Sequence, residues 1–147
     1  MAHPAPRRPA RLAAGDHHAV HSVVAEIRSA LGGRDPRPAT GPDVVAARLD
    51  QLRGQLSALY EEEERAGLFE QIVSLAPDQT PTCAGLRAEH LDLVARIDDL
   101  RAARAEARRS PAWSVEVLAL LEALRAHESR ENELLVGVLD GSVEAQD

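Results

Sequence analysis

Along the last third of the chain, apolar residues recur three and four positions apart. Trp113, Val117, Leu120, Leu124, Leu135 and Val138 fall on one face of a helix turning at about 100° per residue. His127 and Glu131 share that face, with Leu121 and Glu128 on its flank. Moving an ionised carboxylate out of water costs about several kcal/mol unless a cation compensates it. The chain has no Lys and no Arg on that stripe, so the natural candidate is a metal ion.

The same periodicity predicts three more helices. The first starts near Asp16, a plausible N-cap, and turns His17, Val20, His21, Val24, Ile27 and Leu31 inward before Gly32 and Gly33 stop it. A linker from Arg34 to Gly41 follows, and the second helix starts at Pro42 and runs towards residue 75. Its stripe is Val45, Leu49, Leu52, Leu56, Leu59, Tyr60 and Glu63, after which Leu68, Phe69, Ile72 and Val73 occupy a different face. A bend or a bulge near Gly67 reconciles the two halves. Ala76 to Pro81 is turn chemistry, with Thr80 or Thr82 as cap of a third helix that buries Leu86, His90, Leu93, Ile97, Leu100, Ala103 and Ala107. Ser110 and Pro111 open the fourth helix, which runs to about Leu139, where Gly141 can end it. Short connections favour antiparallel neighbours, so the predicted fold is an all-α, up-down four-helix bundle over residues 16–140, between a Pro- and Arg-rich tail at 1–15 and a short tail at 141–147.

Composition agrees with helices and narrows the partners. Hydrophobic residues make up 44% of the 147, enough for one core, and aromatics only 2%, so aliphatic side chains must fill it. A net charge of −7 argues against nucleic acid, since there are no surplus cations to displace counterions. No apolar run approaches the roughly 20 residues of a membrane span. The lone Cys83 cannot form an internal disulfide, which fits a reducing cytoplasm.

Each predicted helix then offers something an aliphatic core does not need. The first has His17 and His21, the second Tyr60 and the run Glu61 to Glu64, the third His90, the fourth His127, Glu128 and Glu131. Any one alone reads as a satisfied core histidine or a solvated acidic face; together they point to a metal site. Imidazole nitrogens with carboxylate oxygens suit iron or manganese, and zinc is an alternative.

These residues resemble the hemerythrin-like, or HHE cation-binding, family over roughly residues 16–139. Asp16, His17 and His18 with Val20, Val24 and Ile27 resemble its first helix, and Glu89 and His90 with Leu93, Ile97 and Leu100 its third. His127 and Glu131, four apart and followed by Leu135 and Val136, resemble its last helix. Tyr60 and Glu64, followed by Leu68 and Phe69, repeat that form in the second, with Tyr where the family has His. A second departure is Val94, where the third helix often carries another His, and His21 could replace a missing ligand. The resemblance implies a di-iron centre with His17, Tyr60, His90 and His127 as terminal ligands and Glu64 and Glu131 as bridges. Periodicity places Glu63 deeper than Glu64; the expectation follows the motif spacing, because the stripe is already rotating at that turn. The implied function is binding of, or reaction with, oxygen, peroxide or nitric oxide, extending to peroxidase-like chemistry. An iron or oxygen sensor and a metal-free interaction bundle are the alternatives.

Overall fold

The computed structural model describes residues 14–32 and 41–144, with side chains over 17–32 and 41–139. Residues 1–13 of the expected N-terminal tail and most of the linker lie outside these residues; the first helix begins at Ala14, so Ala14 and Gly15 are helical and Asp16 lies within the first turn and not before it as an N-cap. The helices are α1 (Ala14–Leu31), α2 (Pro42–Ala66), α3 (Leu68–Leu75), α4 (Thr80–Ala102), α5 (Ala105–Arg108) and α6 (Pro111–Glu144); from α2 onward short connections join them, one containing a single 3₁₀ turn at Pro77–Gln79. No strand occurs among the described residues.

Local chemistry explains the boundaries, and several differ from the sequence expectation. The second predicted helix is neither bent nor bulged; it is cut in two. Gly67 adopts the left-handed conformation (φ 68°) and donates its N–H to the carbonyls of Glu63 and Glu64, which closes α2 and redirects the chain into α3. Thr80 does not cap α4 through its side chain, since its hydroxyl donates to the Pro77 carbonyl at 2.7 Å. The expected third helix also stops short, at Ala102, and Ala107 falls exposed in the one-turn α5. Ser110 behaves as expected, its Oγ accepting from the Ala112 N–H at 3.2 Å. α6 runs through Gly141 to Glu144. A glycine costs a helix only about 1 kcal/mol, too little to end it without a competing cap.

Cross-helix pairs fix the topology. His21 meets Glu128 and Arg28 meets Glu122 across α1 and α6; Arg53 meets Asp98 and Glu64 meets Arg87 across α2 and α4. Trp113 Nε1 donates to the Leu100 carbonyl at 3.1 Å across α4 and α6, satisfying one of the last orphan carbonyls of α4. In each pair one number rises as the other falls, so these neighbours are antiparallel.

Two apolar clusters fill the bundle. The larger is built from Val20, Ile27, Leu49, Leu56, Ile97, Val117, Leu120 and their neighbours, the smaller from Leu68, Phe69, Ile72, Cys83, Leu86 and Leu134. Along α2 and α6 the larger cluster ends before Glu63 and His127 and the smaller follows Glu63 and Glu131, while along antiparallel α4 the smaller (Cys83, Leu86) precedes His90 and the larger (Leu93, Ile97, Leu100) follows it. A polar layer therefore lies between two oily ones.

Candidate metal centre

Two carboxyl and two imidazole side chains are buried among the described residues: Glu63 from α2, His90 from α4, and His127 and Glu131 from α6. The inward stripes of the three helices carry them there. On α4 the stripe Leu86, His90, Leu93, Ile97 steps four, three and four; on α6 His127 and Glu131 are one turn apart on the stripe of Val117, Leu120 and Leu124.

One ligand atom each from His90, His127 and Glu131 lies within 4.8 Å of the other two. His127 Nε2 stands 3.1 Å from Glu131 Oε2, and His90 Nε2 stands 3.5 Å from both Glu131 Oε2 and Glu63 Oε2. Despite these approaches, neither nitrogen and neither Glu63 oxygen is aligned for a hydrogen bond. Groups that crowd together with their lone pairs uncommitted fit a cation among them, because each would otherwise retain its desolvation cost.

The electrostatics follow from that crowding. Burial, and then the neighbouring Glu131 carboxylate, push the Glu63 carboxyl up to about 10. Burial raises Glu131 too, but His127 and His90 outweigh it and hold that carboxyl well below the usual range. Burial pulls the His127 imidazole down, and the carboxylates of Glu131 and Glu89 more than reverse it, so the net direction is upward. Burial and the charges of Glu131 and Glu63 push the Tyr60 phenol far above its ordinary value. Without a bound cation, then, Glu63 and Tyr60 keep their protons at neutral pH.

The six expected ligands divide. His90, His127 and Glu131 come together as described. Tyr60 is buried, with its ring stacked on His90 (centroids 3.7 Å apart, planes 7° apart) and its hydroxyl without a hydrogen-bond partner. Glu64 turns outward instead, 3.0 Å from the Arg87 guanidinium, and the inward carboxylate of α2 is Glu63. The phase of Leu52, Leu56, Leu59 and Glu63 decides this, since Glu64 sits 100° further round. His17 is half-buried and not among the three clustered ligands. His21 does not point inward: its ring is 62% exposed and bonds Glu128 at 2.8 Å, while Val20, Val23, Ile27 and Ala30 form the buried stripe of α1.

Sequence reasoning missed Glu89. His127 Nδ1–H donates to its Oε2 at 2.7 Å, and Arg130 holds its other oxygen at 2.5 Å. Its place beside His90 was visible, but no periodicity announces a half-buried residue that reaches sideways to the next helix.

Fold and site together define a helical bundle with a buried His/Glu cluster that could hold a cation. In agreement, the family model described as the hemerythrin HHE cation binding domain matches residues 8–139. This chain belongs to that family. No curated protein and no solved structure matches the chain. None of the helices is long and apolar enough to cross a membrane, among the described residues.

Proposed function

We propose that the chain holds one iron ion through His90, His127 and Glu131, with Glu63 as a fourth donor, and reacts there with small oxidants such as peroxide, oxygen or nitric oxide. The observation that carries this is the buried cluster in which Nε2 of both His90 and His127 is left without a hydrogen bond. Two imidazoles and a carboxylate are the donor set of mononuclear non-haem ferrous centres. With Glu64 outward on Arg87, a bridge from Glu64 to Glu131 has no support, and one ion fits the donors better than two.

An iron ion held there would supply Lewis acidity and an electron store. The chain's own residues supply the rest. Glu63 releases the proton it otherwise holds when it becomes a ligand, so uptake strengthens as pH rises. Tyr60 keeps an uncommitted O–H in a place with little water, a hydrogen-bond donor for an oxygen atom brought close. Phe69, Leu68 and Ile72 exclude water from the side of α3. A cleft of about 950 Å³ between α2 and α4 has Tyr60 and His90 in its lining and can admit a small molecule.

The test is metal content and an optical spectrum of aerobically purified protein, followed by peroxide and nitric oxide consumption. Bound iron and turnover support the proposal. A visible band lost in Tyr60→Phe would add the phenolate to the ligands; an unchanged band would leave Tyr60 as the wall against His90. Folded protein that refuses iron contradicts it.

A further inference from the structure

We propose that Glu89 is a positioning residue for the cation site, setting the tautomer and ring orientation of His127; this rests on the metal reading above. His127 is 1% exposed and has two ring nitrogens with different surroundings. Nδ1 faces Glu89 Oε2 at 2.7 Å, and a carboxylate can only accept, so Nδ1 carries the proton. Nε2 then presents its lone pair to the cluster of His90 and Glu131. A ring with its proton on Nε2 would aim an N–H at the cation and leave Glu89 facing a lone pair.

Glu89 is itself held. Its Oε1 pairs with Arg130 Nη1 at 2.5 Å, and Arg130 Nε donates to the Ala126 carbonyl at 3.3 Å, pinning the guanidinium against α6. Thus α4 reaches the centre twice from adjacent residues, His90 directly and Glu89 through His127. A carboxylate behind a ligand histidine also raises the donor strength of the opposite nitrogen. Glu89 lines a cleft beside the turn before α4, so truncating it to Ala would let water replace it; Leu fills the space and offers no acceptor.

The test titrates ferrous iron alone, without oxygen, into full-length wild type, Glu89→Leu and Glu89→Gln, with circular dichroism confirming equal helicity. Glu89→Leu should bind about 10–100-fold more weakly. In Glu89→Gln the side-chain carbonyl still accepts from Nδ1–H, and most of the affinity should return. A readout independent of iron is the His127 tautomer in the metal-free protein, from long-range ¹H–¹⁵N spectra at alkaline pH, assigned against His127→Asn. Wild type should carry the proton on Nδ1, and Glu89→Leu should lose that preference. Iron binding by folded Glu89→Leu equal to wild type, or an Nε2-protonated His127 in wild type, overturns the positioning role alone. Wild type that takes up no iron overturns the metal reading and this role with it.

Discussion

Helices α2 and α6 carry the same short pattern, a ring followed four residues later by Glu, and the bundle uses them differently. On α6 the pair His127 and Glu131 lies on the buried stripe, and the helix continues past it to Leu134. On α2 the pair Tyr60 and Glu64 is one residue out of phase: the inward i,i+4 pair is Leu59 and Glu63, and the helix ends at Gly67. Tyr60 is still buried because a large ring can reach in from the flank and lie flat on His90. Glu64, shorter and charged, finds Arg87 at the surface instead. Motif spacing names residue types, whereas the apolar period decides which of them turns inward.

That contrast can be broken by mutation. The largest effect should come from Glu131→Ala, which removes a clustered ligand and should abolish tight ferrous iron binding, while Glu64→Ala leaves the isotherm unchanged; equal losses in both would put Glu64 back in the site. Next, Phe69→Ala should cost about 3–5 kcal/mol in urea unfolding, because Phe69 is fully buried at the head of the smaller cluster and packs near His90. Glu63→Leu should stabilise the metal-free protein by about 1–3 kcal/mol, since it replaces a buried carboxyl without a hydrogen-bond partner, and should weaken iron binding in the same preparation. Smaller again, Gly67→Ala should cost about 1–2 kcal/mol, from the left-handed backbone and not from crowding, as the nearest atom to a new Cβ is Glu70 Oε2 at 3.7 Å.

Stability against pH offers a separate handle on Glu63. The folded state holds its proton up to about 10, whereas the unfolded chain releases it near 4.5, so folded protein binds more protons between these values. Metal-free stability should therefore fall as pH rises through that window, and Glu63→Gln should flatten the fall. Glu131 acts in the opposite sense: its carboxyl is held below the ordinary value, so its contribution is present above about 4.5 and is lost towards acid. Chemical denaturation across the range separates the two limbs.

Most of the fold was legible in the sequence. The stripes on α2, α4 and α6 as far as Glu131 appear where the periodicity places them, and Ser110 with Pro111 starts α6; beyond Glu131 the buried residue is Leu134, with the expected Leu135 and Val138 half-buried. Three of the six expected site residues, His90, His127 and Glu131, come together in the buried cluster because they replace apolar residues at inward positions. The rest needed three-dimensional information. Gly67 could signal a bend, a bulge or a left-handed break, and only the backbone distinguishes them. Glu63 and Glu64 are adjacent acids in a run of four, where one residue of phase moves a carboxylate from the interior to Arg87. His21 lies one position after Val20, and the stripe of α1 passes through Val20 and Val23 instead. Glu89 acts across helices, a contact that no single-helix pattern encodes.

The central claim is that a cation completes the buried layer between the two apolar clusters. Its most direct test is the iron content of full-length protein loaded with ferrous iron without oxygen and freed of excess, alongside His127→Ala. One ion per wild-type chain, lost in the variant, is the predicted result; a folded wild-type protein that retains no iron would contradict it.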